Sequence, residues 1–302
     1  MIIAAIDVGS NTLRLLVAEV DNGKIEKILY ADRQITRLAE NLIYTHKLSS
    51  AAIDRTIGAL KTFKDICDKF RPHKIKIVAT SAAREAENSN LFLNKAKEIG
   101  FDIELIDGKE EGYYTYLGVA SVVNLVDKKS VIFDIGGGST EIIYTERGNI
   151  TNINSTAMGV VKIANAFNLN NIVDVHTKDG ICAFIKEHLQ ILCPSFTPEI
   201  LVGTAGTVTT IAAIDLEMEK YDCTLINNYK LEYENIVKIY EKLASLPAKE
   251  RLTVKGLEKG REDLIIAGIL MVLEILEHFS KDYLIVSDYG LREGLAIAAA
   301  MD

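Results

Sequence analysis

The residue types and spacings that this chain lacks exclude several kinds of domain linker and metal site. It has only four prolines in 302 residues and no proline- or serine-rich stretch, so we expect ordered segments between its domains. Its five histidines include no HxxxH or HxH pair, so a zinc site is not expected. Its cysteines form no CxxC pair, which favours reduced thiols over disulfides or a metal site. The four cysteines are Cys67, Cys182, Cys193 and Cys223.

Long hydrophobic runs and positive charge are also scarce. The longest apolar run, residues 264–273, is too short to span a membrane and predicts a buried helix. No basic leader or cleavage-site pattern opens the chain, so we expect a cytoplasmic protein. The net charge of −8 argues against binding to nucleic acid or to an anionic membrane. A phosphate-rich ligand would therefore need local arginines, lysines or Mg²⁺ to attract it.

What the chain does contain is one glycine-turn pattern that occurs twice, about 127 residues apart. Each copy runs from an apolar segment to an aspartate, Asp7 or Asp134, then through a tight glycine and hydroxyl turn into a second apolar segment. This pattern predicts a β-hairpin whose turn presents N–H groups beside a carboxylate. Such N–H groups bind phosphate, and a carboxylate next to phosphate suits Mg²⁺. Two copies predict two related lobes that face one polyanionic ligand.

The second turn, Gly136-Gly137-Gly138, could also be a plain flexible hairpin. Three consecutive glycines weaken a strand and cost conformational entropy. However, Asp134 precedes them and Ser139 follows, as phosphate and Mg²⁺ ligands would. We therefore favour the binding interpretation.

Strand-like and helix-like segments alternate along the chain, which predicts an α/β fold. Residues 49–70 have helical apolar spacing, with Ser49 or Ser50 as N-cap. Residues 81–97 predict a strand end followed by a helix, and residues 231–244 predict another helix.

The repeat also predicts the domain organisation. We place the N-terminal lobe at residues 1–125 and the C-terminal lobe at residues 126–302. A terminal helix begins at Leu291, and it either stays with the second lobe or packs back on the first.

Three further features have both an ordinary and a functional interpretation. The segment Gly203-Thr204-Ala205-Gly206-Thr207 is either a helix entry capped by threonine or a loop approached by phosphate. Glu110 and Glu111 open a helix, where acidic residues complement the helix dipole, so composition alone does not single them out. Arginines near these motifs are either surface residues or bidentate phosphate ligands. These arginines are Arg14, Arg33, Arg37, Arg84, Arg261 and Arg292.

Taken together, the motifs resemble the exopolyphosphatase/guanosine pentaphosphate phosphatase (Ppx/GppA) family of the actin-like ATPase superfamily. The likeness runs nearly from end to end. It rests on residues 6–14, 37–42, 79–86, 108–111, 134–141, 158–161, 203–207, 260–263 and 287–294.

The resemblance implies two RNase H-like (actin-like ATPase) lobes with a cleft between them. It also implies Mg²⁺-dependent hydrolysis of the terminal phosphoanhydride of inorganic polyphosphate or guanosine pentaphosphate, the latter linked to the stringent response. Glu111 falls on the family's catalytic base, while Asp134 and Glu141 would hold Mg²⁺ and the attacking water. Asp7 is a further candidate metal ligand. The candidate phosphate-binding residues are Gly9, Ser10, Asn11, Thr12, Arg14, Arg84, Gly136, Gly137, Gly138, Ser139, Thr140, Gly206, Thr207 and Arg261.

The chain departs from the family pattern in a few places. Gly112 replaces the usual alanine, which should loosen the start of the helix beside the proposed base. Ala39 and Asn41 stand where glycine is common. The chain resembles the short two-domain form that lacks a helical C-terminal domain, so processive degradation of very long polyphosphate is less expected.

Alternatives to the hydrolase remain open at this point. An ATP-dependent small-molecule kinase of the same superfamily would use the same turns, although the helix at Glu110-Glu111 does not match sugar kinases. A non-catalytic actin-like protein that binds guanosine polyphosphates is the third hypothesis. The sequence does not rank polyphosphate against guanosine pentaphosphate, and a homodimer is expected only because the family often forms pairs.

Overall fold

The computed structural model describes residues 1–192 and 196–301, so Cys193 and Asp302 lie outside the described residues. The strands are β1 (Ile2–Val8), β2 (Thr12–Asp21), β3 (Lys24–Ile35), β4 (Lys74–Ala79), β5 (Glu104–Leu105), β6 (Lys129–Ile135), β7 (Thr140–Glu146), β8 (Asn149–Thr156), β9 (Ile200–Thr204), β10 (Lys230–Glu232) and β11 (Tyr283–Val286). The helices are α1 (Leu42–Thr45), α2 (Ser50–Phe70), α3 (Ser81–Glu85), α4 (Ser89–Glu98), α5 (Gly108–Ala120), α6 (Val160–Phe167), α7 (Val175–Leu192), α8 (Ala205–Asp215), α9 (Cys223–Ile226), α10 (Tyr233–Ala244), α11 (Ala248–Arg251), α12 (Ile265–His278) and α13 (Leu291–Met301).

The chain divides into two compact units. Unit 1 comprises residues 1–121 and 290–302, and unit 2 comprises residues 122–289. The division predicted between residues 125 and 126 lies four residues beyond the end of the first segment of unit 1. Helix α13 belongs to unit 1, where it packs on β1, β2 and α5.

Each unit is built on one mixed sheet, and the two sheets share a strand order. The sheet of unit 1 runs β3-β2-β1-β4-β5, and that of unit 2 runs β8-β7-β6-β9-β11, with β10 added at the edge. In unit 1, β1 is antiparallel to its hairpin partner β2 and parallel to β4 on its other side. In unit 2, β6 is likewise antiparallel to β7 and parallel to β9. The expectation of an α/β protein with two RNase H-like units is therefore confirmed.

The apolar start of the chain reflects a strand that is buried on both faces. One face of β1 presents Ala4 and Ile6 to a core built with α2 and α4. The other face presents Ile3 and Ala5 to a second core that contains Leu295 of α13. Helix α2 begins after Ser49, whose side chain caps the N–H of residue 52 at 3.1 Å, as predicted.

Helices α5 and α13 of unit 1 touch through glycines. A methyl group on Gly294 would overlap the carbonyl group of Tyr114 and lie 2.6 Å from its carbon. A methyl group on Gly118 would overlap the carbonyl group of Gly290 and lie 2.8 Å from its carbon. Both values are far below an ordinary van der Waals contact, so glycine is required for the two backbones to approach this closely.

The long apolar run forms the core helix of unit 2. Residues 265–276 of α12 are all buried, which explains why Glu274 is the one charged residue among them. The predicted buried helix is thus confirmed. Within the described ranges, no helix is long and apolar enough to cross a membrane.

One sequence-based boundary was wrong, and one short helix was not predicted. Leu231 was predicted to be helical, but it lies in β10, where it pairs with Leu284 of β11. The helix begins only at Tyr233. Here pairing with a sheet edge overrides the local helical pattern. The predicted helix ending at Lys97 is confirmed as α4, whereas the short helix α3 lies where only the end of the strand was predicted. Residues 86–88 separate the two helices, and Asn88 turns its side chain to Leu48.

Candidate active site

The first glycine turn, named turn 1 (residues 9–12), joins β1 to β2 in unit 1. The N–H of Gly9 donates to the carbonyl oxygen of Thr12 at 3.1 Å. Asp7 lies opposite Arg14 in the register of the hairpin. Ser10, Asn11 and Thr12 are all buried, although they are polar and lie in a hairpin turn. Such burial is unusual for a connecting turn and is typical of a binding element.

Turn 1 is held from one side by the segment that follows β3. The carbonyl oxygen of Ser10 accepts from the N–H of Ala39 at 2.9 Å, and that of Asn11 accepts from the N–H of Thr36 at 3.0 Å. Because the N–H and C=O of a trans peptide point in opposite directions, the N–H of Asn11 points away from this segment. Nearby Asn41 has a φ of 60°, a left-handed conformation that asparagine tolerates in place of glycine.

The second glycine turn, named turn 2 (residues 136–139), repeats this construction in unit 2. The N–H of Gly136 donates to the carbonyl oxygen of Ser139 at 3.0 Å, which matches Gly9 and Thr12. The carbonyl oxygens of Gly136 and Gly137 accept from Val160 and Val161 at the start of α6, at 3.1 and 2.9 Å. The N–H groups of Gly137 and Gly138 therefore point away from α6.

Turn 2 also packs directly on the residue before α6. A methyl group on Gly159 would overlap the carbonyl group of Gly137 and lie 2.6 Å from the carbonyl carbon of Gly138. The hydroxyl group of Thr140 donates to the carbonyl oxygen of Met158 at 2.5 Å. Turn 2 is thus held by hydrogen bonds and close packing, which favours the binding interpretation over a flexible hairpin.

The two hairpins differ in the charge they carry across the sheet. In unit 2, Asp134 lies opposite Glu141, and Glu141 lies opposite Ser155, whose hydroxyl group donates to Oε1 of Glu141 at 2.8 Å. In unit 1, the equivalent row is Asp7, Arg14 and Arg33. Cross-strand partners share one face of a sheet, so turn 1 carries a carboxylate beside cations, whereas turn 2 carries two carboxylates side by side.

The carboxylate pair of unit 2 has the chemistry that a divalent cation requires. Asp134 is 8% exposed and Glu141 is fully buried. Two adjacent buried carboxylates repel each other unless a cation or a proton lies between them. Mg²⁺ is typically held by one or two carboxylates, with water and substrate phosphate as its other ligands, and this pair fits that requirement. Over the described ranges, no group of three or more metal-ligating side chains occurs.

The structure gives Glu110 and Glu111 different roles at the start of α5. Asp107 caps the helix by accepting from the N–H of Glu110 at 2.9 Å, and Glu110 Oε2 accepts from the N–H of Asp107 at 2.9 Å. These two bonds form a capping box. The N–H of Glu110, more than any other group, lowers the pKa of Asp107. Glu111 is not part of the box and is only 7% exposed.

Arg84 connects this helix start to the end of β4. Its Nη1 atom donates to the carbonyl oxygen of Ile106 at 2.6 Å and lies 3.8 Å from Oε2 of Glu111. Helix α5 is continuous through Gly112, so this glycine does not interrupt the helix, and the predicted loosening at this position stays a prediction. Hydrogen bonds of the capping box and of Arg84 support the helix start.

The start of α8 in unit 2 bears on the threonine cap predicted at residues 203–207. Among the described residues, Thr204 donates its hydroxyl group to Tyr289 at 3.0 Å and caps no N–H of α8. Residues 203–207 are therefore a helix entry with Thr204 at the N-cap position, but the Thr204 side chain does not cap the helix. Ala205 has a φ of 68°, a left-handed conformation that costs a β-carbon-bearing residue about 1 kcal/mol or more. Such strain is concentrated at functional sites.

Gly206 is approached by a guanidinium group. A methyl group on Gly206 would overlap the guanidinium of Arg261 and lie 2.6 Å from its Nη1 atom. Arg261 is buried, and its Nε donates to Oε2 of Glu258 at 2.7 Å. The N-terminus of α8 therefore has an oriented cation beside it, the arrangement expected of a phosphate subsite. Thr207, the residue after Gly206, packs against Gly268 of α12.

Most predicted site residues thus lie together within each unit. Unit 1 brings Asp7 and Arg14 to turn 1 and Arg84 to Glu111, while unit 2 joins turn 2 to the carboxylate pair. Arg292 instead forms an ion pair with Glu293 of α13. Sequence reasoning missed the capping box, although the spacing of Asp107 and Glu110 is its usual signature.

The two sheets and their turns define the class of protein: an α/β protein of the actin-like ATPase fold. The profile of the Ppx/GppA phosphatase family matches residues 16–301, and the chain belongs to that family. Solved structures agree. The chain is 32% identical to the Aquifex aeolicus Ppx/GppA family member, with a TM-score of 0.85 over 100% of this chain and 98% of that one. It is 26% identical to an exopolyphosphatase-like protein, with a TM-score of 0.92 over 99% and 97% of the two chains.

Curated relatives include proteins of several lengths. A bifunctional 3-dehydroquinate synthase/phosphatase of Fusobacterium nucleatum is 35% identical over 300 residues, which span 94% of this chain and 44% of that protein. Exopolyphosphatase 2 of Mycobacterium tuberculosis is 27% identical over 99% of this chain and 98% of its own length. A guanosine-5'-triphosphate,3'-diphosphate pyrophosphatase of Photobacterium profundum is 27% identical over 97% of this chain and 58% of that protein.

Proposed function

We propose that this chain is a Mg²⁺-dependent hydrolase that releases terminal phosphate from inorganic polyphosphate, guanosine pentaphosphate or both. The observation that carries the proposal is turn 2, where outward N–H groups lie beside the buried carboxylate pair Asp134 and Glu141. N–H groups and a cation neutralise phosphate charge, which is the main requirement for phosphoryl transfer. Family membership and the activities named for the relatives support the same reaction.

Each candidate residue has a proposed role. Asp134 and Glu141 would hold Mg²⁺, which when bound neutralises the phosphate oxygens and the leaving group. Turn 1, turn 2 and the subsite formed by Gly206, Thr207 and Arg261 would bind phosphate groups. Arg14 and Arg84 would add guanidinium contacts.

Glu111 is the proposed general base. It accepts a proton from the attacking water, a role worth about 10²–10⁴-fold in rate. Its position in the first turn of α5, buried and 3.8 Å from Arg84, holds the carboxylate in one place. Glu110 cannot fill this role while its carboxylate caps the helix.

The proposal is tested by phosphate release from long-chain polyphosphate, tripolyphosphate, guanosine pentaphosphate and ATP, each with Mg²⁺ and with EDTA. We expect release from at least one of the first three with Mg²⁺, and little from ATP. The Glu141→Gln variant should need a higher Mg²⁺ concentration for half-maximal release. Transfer of phosphate from ATP to a small acceptor would favour a kinase, and binding without release by the folded protein would favour a sensing role.

Two further expectations belong to this proposal. We expect the enzyme to act in the cytoplasm, and we expect a homodimer, which light scattering of the purified protein would test. Neither is needed for the proposed chemistry.

A further inference from the structure

Unit 2 contains a fully buried arginine that none of the proposed chemistry uses. Arg251 ends the short helix α11 and has no exposed surface. Burial lowers its pKa from the usual value, and the nearby Asp263 opposes that effect. A buried cation is costly unless hydrogen bonds or opposite charges compensate it. What compensates Arg251 indicates what the residue is for.

The guanidinium group of Arg251 is bound mainly by backbone carbonyl groups. Nε donates at 3.0 Å, Nη1 at 2.8 Å and Nη2 at 2.8 Å. The acceptors lie in three separate segments: the end of α10 and the residues after it, the residues after α6, and the loop before α12. They are the carbonyl oxygens of Leu243 and Leu246 (Nε), Leu169 and Glu262 (Nη1) and Asn171 (Nη2).

One of these acceptors is adjacent to the candidate phosphate-binding arginine. Glu262 follows Arg261 directly, so the hydrogen bond to the carbonyl group of Glu262 holds the peptide between Glu262 and Asp263, one peptide beyond Arg261. The same loop is closed by the N–H of Arg261 on Glu258 at 3.2 Å and by the N–H of Leu264 on Arg261 at 2.9 Å. At the far end of its side chain, Arg261 lies against Gly206 and binds Glu258. Arg251 thus supports the backbone from which Arg261 reaches the start of α8.

We propose that Arg251 is a positioning residue for substrate binding, and that it acts through Arg261. The inference rests on the proposed function only in assigning phosphate to Arg261. A guanidinium group spans carbonyl groups on separate segments, whereas an ammonium group is compact and cannot replace that fork. A displacement of a binding group by about 1 Å is enough to lower its contribution to substrate binding greatly.

A purely structural role would give a different pattern, and a double-mutant cycle separates the two. If Arg251 acts through Arg261, its loss should matter while Arg261 is present and should matter little once Arg261 is gone. If Arg251 only stabilises unit 2, the two losses in affinity should be independent. The hydrogen-bond partners of Arg251 named above are all backbone carbonyl groups, which a side-chain substitution cannot remove. The cycle is therefore run on the side chains of Arg251 and Arg261.

The experiment measures tripolyphosphate binding by isothermal titration calorimetry, together with KM and kcat for phosphate release. The variants are Arg251→Lys, Arg261→Met and the double variant, at a temperature where each is folded. Arg251→Met is a more severe second variant. Lys249→Met is the matched control, because it removes a positive charge from the exposed face of the same short helix.

We expect Arg251→Lys to weaken tripolyphosphate binding and raise KM about tenfold, with kcat changed less than twofold. In the Arg261→Met background the same change should weaken binding less than twofold, and Lys249→Met should have no effect. Equal losses in both backgrounds, unchanged affinity in Arg251→Lys or unchanged affinity in Arg261→Met would overturn the inference. If the losses in binding affinity are coupled but no phosphate is released, the proposed function is contradicted and this inference stands. If phosphate is released but the losses in affinity are additive, this inference is contradicted and the proposed function stands.

Discussion

The glycine contacts between α5 and α13 lead to a prediction that needs no assumption about function. Gly58 lies in the middle of α2, where an added methyl group would meet nothing within 4 Å. Replacing this glycine by alanine should stabilise the protein by about 0.5–1 kcal/mol, because alanine loses less backbone entropy on folding. Gly118 is also a helical glycine of unit 1, yet an added methyl group there would overlap the backbone of Gly290. The same substitution should therefore have opposite effects at the two sites.

The magnitude at Gly118 follows from the overlap. The new carbon would lie 2.8 Å from the carbonyl carbon of Gly290 and 3.0 Å from its nitrogen, against an ordinary contact of about 3.4–4 Å. Backbone atoms cannot rotate away, so the helices must separate by the order of 1 Å, at a cost of about 1–3 kcal/mol. After the gain in helix propensity, we expect a net loss of about 1–2 kcal/mol. Gly294→Ala should be at least as damaging.

Thermal unfolding followed by circular dichroism or calorimetry measures the contrast. With about 2–4 °C per kcal/mol, Gly58→Ala should raise Tm by a few degrees, and Gly118→Ala should lower it by a similar amount. Phosphate release by folded Gly118→Ala should also fall, because α5 carries Glu111 in its first turn. A Tm for Gly118→Ala equal to or above that of Gly58→Ala would refute the close helix contact.

Three more predictions follow from side-chain contacts and burial within the two units. Gly206→Ala should displace the guanidinium of Arg261 and raise KM for tripolyphosphate about tenfold with little change in Tm; a lower Tm with unchanged KM would contradict this. Burial raises the pKa of Cys67 to about 11, and burial with Glu274 raises that of Cys182 to about 12, so both should react more slowly with a thiol reagent at pH 8 in the native protein than in urea. Because these folded pKa values exceed the unfolded value near 9, the resulting stability is full below about pH 9 and is lost as pH rises towards 12. Urea unfolding at pH 8 and pH 10.5 should show the lower stability at pH 10.5, and Cys182→Ala should reduce the difference.

The sequence predicted the repeated hairpins because the constraint on each turn is local. An aspartate, a glycine two positions later and a hydroxyl residue at the far side occur in both copies, and the register of Asp7 with Arg14 matches that of Asp134 with Glu141. Apolar runs on either side then determine the strands. The alternation of these strands with helices was enough to predict the fold class.

Long-range contacts explain what the sequence could not predict. Arg251 lies in the polar stretch Lys249-Glu250-Arg251, which suggests a surface helix, but its partners are up to 82 residues away. Leu231 has a helical pattern and is drawn into a strand by the edge of the sheet. The approach of Arg261 to Gly206 likewise depends on the packing of α8 against the loop before α12. None of these contacts leaves a short-range signature.

The two neighbouring glutamates of α5 give the most direct test of the account. Glu111→Gln and Glu110→Gln remove the same charge from adjacent residues, and glutamine can still accept the hydrogen bond of the capping box. Phosphate release with Mg²⁺ should fall about 10²–10⁴-fold in Glu111→Gln and stay within twofold of wild type in Glu110→Gln, with both proteins folded. Equal activity in the two variants, or a greater loss in Glu110→Gln, would contradict the assignment of Glu111 as the base.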